Sequence, residues 1–422
     1  MNGLGLFGKT FKILFMSQKI VAVIGAGIIG LSTAYYLQKA GRQVFLIDKQ
    51  DPGTGTSRGH ASMIANYGVP GINQPQVWQQ LPRYLFSKSS PISIQWSKIA
   101  KLTPWLIQFL KNCNTTSMKK TALHTSSLLK SALTNYQELL KEVGAQNLLT
   151  HQGVLYVWID PRQQPNSSQI NIRSESGVEQ IKLTGEEIRE LEPNLSSQIQ
   201  GGWHFPNAHY TIDPDLIIEK LYQGFLSRGG QFKKEEVSAI HPEEGSAQIN
   251  NSDYDQVVVC TGAFSKSLVK QIEGQFIPLE TERGYHIEFI EKQQLLSRPT
   301  SLVESGMYLT PLNNRLRAAG TVELGGLHSE ISQARIDYIA RDAKRLLPLL
   351  QDYQNPWLGY RPTMPDCLPV LGRSLKYKNI FYAFGHNHLG WTLGPTTGKL
   401  ITDLIYHGRE INSVYSIDRY LS

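Results

Sequence analysis

The first clear pattern in the chain is Ile20–Ile24, an unbroken apolar run rich in β-branched residues. A strand of a parallel sheet reads this way, because helices cover both of its faces and leave no polar side. A glycine-rich turn, Gly25–Gly30, follows, and apolar residues at Ile28, Leu31, Ala34, Tyr35 and Leu37 then predict a helix running to Ala40. Gly41 closes that helix, as glycine does where the chain must leave in a left-handed conformation. Val44–Ile47 predicts a second buried strand with Asp48 at its end.

Beyond this unit the pattern changes character. Residues 51–75 are rich in Gly, Pro, Ser and Asn and read as loop. Pro91 to Val143 reads as helical, with Trp96, Trp105, Leu106, Phe109 and Leu110 supplying apolar faces. Gly153–Trp158 is strand-like. Thr184–Leu191 is a short helix opened by a capping box of Thr184 and Glu187. Asp213–Leu226 is an amphipathic helix begun by Asp213 and Pro214. Asp255–Cys260 is a buried strand running into Thr261-Gly262, which suggests a return to the first sheet. Phe276–Phe289 and Met307–Val322 read as strands of a second sheet, Ala334–Leu347 as a helix, and Asn379–Ala383 as a last buried strand before a helix from about Gly394 to Ile405.

These elements predict an α/β fold: a Rossmann-type nucleotide-binding domain with an inserted α+β substrate domain on a mostly antiparallel sheet. The nucleotide domain is discontinuous, at 17–90, 200–270 and 350–422, and the substrate domain takes 91–199 and 271–349. Residues 1–16 form an extension, apolar with a few lysines. It is open to three readings: translation from Met16 instead, a signal-like segment without a small-residue cleavage site, or a weak interfacial anchor.

With 422 residues, 41% hydrophobic and 18% charged, the chain suits two globular domains rather than disorder. No apolar run is long enough to span a bilayer. The net charge is +7, but the cations read as scattered, without a basic stripe carrying interleaved aromatics, so nucleic acid is not an expected partner. Loose peripheral contact with an anionic membrane face stays open. Cys113, Cys260 and Cys367 are far apart and form no zinc or redox spacing, which fits a reducing, cytoplasmic setting, with the cytoplasmic face of the inner membrane as a variant of it. His386 and His388 lack acidic or cysteine partners nearby in sequence, so no metal is expected.

Gly25-Ala26-Gly27-Ile28-Ile29-Gly30 is a G-x-G-x-x-G turn in the context that gives the motif meaning, after a strand and opening a helix. Gly25 allows the tight turn, Gly27 lets a pyrophosphate approach the backbone, and Gly30 lets the helix pack on the strand. The helix start offers free N–H groups to phosphate, and Asp48, followed by Lys49, can accept from ribose hydroxyls. The motif's place at the N-terminus and the returning C-terminal strand favour FAD over NAD.

Three blocks then carry a family resemblance over Lys19 to about Gly408. The first is the unit ending at Asp48. The second is Thr56-Ser57-Arg58-Gly59-His60-Ala61-Ser62, which looks like a flavin-covering loop, although His60-Ala61-Ser62 stands where Asn-Ala-Gly is usual. The third is Trp357–Pro362, Pro365-Asp366, Leu368–Gly372, Gly385–Gly390 and Leu393–Pro395 with Gly398. The chain thereby resembles the FAD-dependent D-amino-acid oxidase superfamily, and within it the bacterial D-amino-acid dehydrogenases.

The resemblance implies FAD as cofactor and oxidative deamination of D-amino acids to 2-oxo acids and ammonia. Hydride would pass from the substrate Cα to flavin N5, and electrons on to a quinone or other carrier. Arg361 is expected to clamp the substrate carboxylate with its planar guanidinium. Tyr285 is expected to donate to that carboxylate or wall the pocket, with His286 on the other strand face, and His388 to border the substrate. Ser57, Arg58, Val237, Thr261, Gly262, Gly385, His386, Gly390 and Thr392 are expected beside FAD. His60 is a weaker candidate for a covalent flavin link. The competing readings are an oxygen-using oxidase of secondary amines or glycine, a 2-hydroxy-acid dehydrogenase, and a non-catalytic FAD-binding assembly factor.

Overall fold

The structure, a computed structural model, describes residues 19–86, 90–290 and 293–421. The extension at residues 1–16, with its three readings, lies outside the described residues.

Two sheets organise the chain. The first has six strands in the spatial order Gln231–Lys234, Gln43–Asp48, Ile20–Ile24, Gln256–Val259, Ile380–Phe384 and Val370–Arg373. Neighbours run parallel except the last pair. Ile20–Ile24 is central and its alternation is used on both faces. Val21 and Val23 pack with Leu31, Leu37 and Leu404, while Ala22 and Ile24 pack with Val257, Leu268 and Ile272.

Helix Ile28–Lys39 lies against the C-terminal helix Gly390–His407. They cross closely enough that a Cβ on Gly394 would come within 2.7 Å of Ile28 Cγ1, and one on Gly398 within 2.8 Å of the Ser32 backbone. The glycines of the Leu393–Gly398 block therefore serve helix contact. No helix among the described residues is long and apolar enough to cross a membrane.

The second sheet has nine strands. It runs Gln354–Thr363, Glu280–Ile290, Arg315–Leu324, Met307–Leu312, Thr300–Leu302, Val154–Trp158, Gly201–Phe205 and Ile181–Thr184, with Ile92–Ile94 beside Arg315–Leu324. Pairing is antiparallel except for Ile92–Ile94 and for Thr300–Leu302 on Val154–Trp158. The fold class is α/β, with a Rossmann-type sheet and a mostly antiparallel second layer.

Several elements depart from the sequence expectation. The stretch from Pro91 to Val143 begins as the strand Ile92–Ile94 and only then becomes three helices, Ile99–Asn112, Thr115–Leu129 and Ala132–Glu142. The last two pack into the nucleotide-side core through Leu128, Tyr136 and Leu140, tied by an Asn135 Nδ2 to Thr396 Oγ1 bond of 2.9 Å. Met307–Val322 is a hairpin, broken at Asn313-Asn314, where Asn314 takes φ +57°. Residues 51–75 hold a two-residue strand, Met63–Ile64. The last helix starts at Gly390 and carries Pro395 inside it, one turn and a half from its start, where the ring removes one intrahelical N–H donor. Gln354–Thr363 and Gly201–Phe205 belong to the nine-stranded sheet, although the sequence reading set their stretches with the nucleotide strands.

Candidate active site

A cavity of about 860 Å³, within the range of cofactor sites, is walled by both sheets. On its six-stranded side the wall is main chain. Gly25 has φ +101°, and a Cβ there would lie 2.5 Å from the Cys260 carbonyl oxygen. A Cβ on Gly30 would lie 1.8 Å from the Gly25 carbonyl oxygen, so Gly30 is required for the turn although it sits behind the wall. Gly27 leaves the cavity open beside Ser57, whose Oγ accepts from Ile28 N at 2.9 Å. Asp48 lines the cavity and also braces the turn, since Oδ2 accepts from Ala26 N at 2.7 Å and Oδ1 from Gln50 N at 2.9 Å. A carboxylate has four lone pairs, so acceptor capacity remains.

Ile28 and Ile29 complete this wall, and Lys49, held 3.0 Å from Glu236, continues it with Val237, Thr261 and Gly262. A turn bare of side chains at a helix start is what a diphosphate needs, so these residues fit a dinucleotide.

Where the two layers meet, His60 stacks on Trp391 with ring centroids 3.9 Å apart. The Trp357 indole is wedged between two glycines: a Cβ on Gly59 or on Gly359 would fall 2.1 or 2.0 Å from its ring. His386 and Gly390 line the cavity here. His386 Nε2 lies 3.0 Å from Thr397 Oγ1, while Nδ1 is buried without a partner. Burial pushes the His386 pKa down to about 3, so the ring is neutral.

Three residues expected beside the cofactor stand one layer back. Arg58 is exposed off the cavity wall, and its carbonyl accepts from Arg317 Nη1 at 2.9 Å. Gly385, at φ +79°, turns the chain against Met364. Thr392 Oγ1 accepts from Ala65 N at 2.9 Å and so pins the covering loop to the last helix.

On the nine-stranded side the wall is side chain. Arg361 pairs in register with Glu282 on the neighbouring strand, and its guanidinium lies over Gly284, where a Cβ would be 2.3 Å from Cζ. Nη1 donates to the Thr321 carbonyl at 2.8 Å. Burial lowers the Arg361 pKa, and the Glu282 carboxylate opposes that. Glu282 Oε2 lies 2.6 Å from His388 Nε2. Burial alone would raise the Glu282 carboxyl, but His388 and Arg361 outweigh it and hold it below the usual range. The structure thus brings Arg361 and His388 together on the cavity wall through a shared carboxylate.

Tyr285 does not join them. It is 1% exposed, lies in the core of the second layer off the cavity wall, and donates to Glu323, which also pairs with Arg283 at 3.0 Å. Strand alternation is the reason: Gly284 faces the cavity, so its neighbour faces away. His286 is off the wall as well, with Nδ1 3.1 Å from the Gly59 carbonyl.

In place of Tyr285 the wall carries Tyr67, Tyr156, Tyr308 and Arg173, none singled out from the sequence. Tyr308 offered a signal, a strand tyrosine just after Gly306, whereas Arg173 offered none. Among the described residues no group of His, Cys, Asp or Glu converges to hold a metal ion.

A protein-family model described as FAD dependent oxidoreductase (DAO) matches residues 21–404. The D-amino-acid oxidase of Bradyrhizobium diazoefficiens is 31% identical over 399 residues, covering 91% of this chain and 94% of that protein. The D-amino acid dehydrogenase of Helicobacter pylori is 27% identical over 411 residues, covering 93% and 96%. The solved structure of glycine oxidase from Geobacillus kaustophilus has a similar fold, with a TM-score of 0.71 at 21% identity over 96% of this chain and all of that one, 100%.

Proposed function

This chain belongs to the DAO family of FAD dependent oxidoreductases, and from that premise we propose that it deaminates D-amino acids to 2-oxo acids and ammonia, with a quinone or similar carrier as final acceptor. Its cofactor is FAD, and it is an amino-acid oxidoreductase. The turn Gly25–Gly30 with Ser57 and Asp48 would hold FAD, which when bound would supply a two-electron acceptor for the hydride of the substrate Cα.

The observation that carries the reading is Arg361, a half-buried guanidinium on the cavity wall with one bond to a backbone carbonyl. A bidentate clamp on the α-carboxylate fixes the Cα, and orientation at near-attack distance supplies much of the rate. His388, held by Glu282, borders the amine in this reading. The amine enters neutral, so no further base is required. Trp357 and Trp391 close the seam between the layers and keep bulk water from the reacting carbon.

A charge asymmetry supports the membrane-side acceptor. Residues 52–137 contain no Asp or Glu and nine Lys or Arg. Trp78, Trp96, Ile107 and Leu123, all in this stretch, are exposed. Cations interspersed with exposed Trp and aliphatic side chains suit the interface of an anionic bilayer.

The test is anaerobic bleaching of the flavin band with a panel of D- and L-amino acids, glycine, sarcosine and proline. Bleaching by primary D-amino acids is expected; bleaching by secondary amines alone overturns the reading. Peroxide formed in step with turnover in air would remove the carrier from the scheme. Sedimentation with phosphatidylglycerol vesicles but not with phosphatidylcholine vesicles is expected for the membrane contact, and equal or absent binding refutes it.

A further inference from the structure

Arg173 is 8% exposed, lines the cavity and has no ion pair or side-chain hydrogen bond among the described residues. Its Nε is buried without a partner. A guanidinium cannot shed its charge to relieve such burial, so an uncompensated one is costly unless a ligand supplies the anion. The rings around it provide only part of that compensation. Its Cζ lies 5.6 Å from the Tyr156 ring centroid and 5.4 Å from that of Phe205, and Tyr67 stacks on Phe205 at 4.7 Å.

Three hydroxyls gather beside it. Tyr156 and Tyr308 share a hydrogen bond, and both also interact with the Tyr67 hydroxyl, which in turn donates to Met63 Sδ at 2.9 Å. A hydroxyl proton can rotate from such a cluster to a bound carboxylate. Burial raises the pKa of Tyr67, Tyr156 and Tyr308, which keeps all three hydroxyls protonated. The acids of the cavity wall do not meet this cluster: Asp48, Asp51, Glu235 and Glu236 stand on the six-stranded side, and Glu282, behind the wall, is engaged by His388.

The position relative to Arg361 follows from strand register. Arg361 bonds to the Thr321 carbonyl, and Tyr308 lies opposite Ala319, two residues along the same strand. Two residues of strand are about 7 Å. That is the reach of an amino acid whose side chain ends in a second carboxylate.

We propose that Arg173, with the hydroxyls of Tyr156 and Tyr308, binds the side-chain carboxylate of the substrate, so that the enzyme prefers acidic amino acids. This rests on the reading in which Arg361 holds the α-carboxylate. The helix Ser167–Glu175 that presents Arg173 is fixed by a full capping box of Asn166 and Gln169, and Gln169 Nε2 also bonds Gln74 Oε1 at 2.6 Å. Arg173 is therefore presented from a braced element rather than from a free loop.

The FAD-loaded enzyme and its Arg173→Met, Arg173→Lys and Tyr156→Phe variants decide the matter. In the wild type, D-glutamate and D-aspartate should exceed D-norvaline and D-alanine in kcat/KM. Arg173→Met should lower kcat/KM for the acidic pair on the order of 50-fold and leave the neutral pair within about threefold, since hydrogen bonds to charged groups are the stronger kind. Arg173→Lys should restore part of the loss, and Tyr156→Phe should cause a smaller loss confined to the acidic pair. Calorimetry gives a readout free of turnover: glutarate should bind the wild type more tightly than butyrate, and Arg173→Met should erase that difference. An equal loss on acidic and neutral substrates places Arg173 elsewhere, at the α-carboxylate or in the framework, and overturns the proposal; so does no loss. If Arg173→Met fails to fold, Tyr156→Phe and wild-type calorimetry carry the same decision. A wild type that binds glutarate through Arg173 yet is bleached by no amino acid would leave the anion site standing and remove the deaminase reading instead.

Discussion

The two walls of the cavity are built by different means. On the six-stranded side the contacts are main chain and local: Gly25, Gly27 and Gly30 shape a turn that Asp48 braces, all within one strand–helix–strand unit. On the nine-stranded side they are side chains drawn from distant segments, with Arg173, Tyr308, Arg361 and His388 reaching one cavity only in the folded chain and Glu282 bracing His388 from behind. The first wall suits a ligand common to many enzymes, and the second one particular to this enzyme. A lesion in the first should remove the cofactor and everything after it, while a lesion in the second should leave a yellow protein that turns over poorly.

The largest break should come from Gly30→Val. A Cβ at 1.8 Å from a backbone oxygen cannot be accommodated by a rotamer change, so FAD affinity should fall on the order of a hundredfold or more, read as the flavin-to-protein absorbance ratio after gel filtration. Arg361→Met should keep the flavin and lose on the order of a hundredfold or more in kcat/KM, the scale for truncating a buried charge that pairs with a ligand. Retained activity there would undo the side-chain half of the comparison.

A smaller effect concerns the seam. His60, His286 and His386 are held neutral by burial, with His286 and His386 pushed to about 3. Unfolded histidine titrates near 6.5, so the unfolded chain takes up protons that the folded one refuses. Stability is then whole above pH 6.5 and lost as pH falls towards 3, by roughly 1.4 kcal/mol per pH unit for each histidine. Denaturant titrations between pH 6.5 and 5, above the carboxylate range, should show that slope; a flat profile would contradict the neutral rings. The smallest effect on activity is expected from Tyr285→Phe. Its hydroxyl serves Glu323, not the cavity, so turnover should stay within about twofold while stability drops by about 1–2 kcal/mol.

What was legible in the sequence follows the same division. The central strand, the glycine turn and Asp48 lie where the sequence put them, because their placement is set locally. Arg361 was legible because it sits in a long ordered block. Tyr285 was misassigned because period-two alternation says that Gly284 and Tyr285 face opposite ways but not which face meets the cavity. Arg58, Gly385 and Thr392 flank the cavity but support its wall from behind, a distinction of one layer that no pattern encodes. Arg173 sits on a short helix among polar neighbours, so only the packing of Tyr156 and Phe205 gives it meaning. The acid-free stretch 52–137 was present in the sequence all along, but net charge averages it away.

The order of strands in the six-stranded sheet has a bearing on how the enzyme is made. Ile380–Phe384 seats directly on Gln256–Val259, and the segment just after it supplies His386, Gly390 and Trp391 to the cavity. A nascent chain emerging from the ribosome therefore acquires its phosphate turn early and lacks the opposite face until its final segment is free. Flavin retention is therefore expected only of a chain that carries this last segment, whatever the vitamin supply.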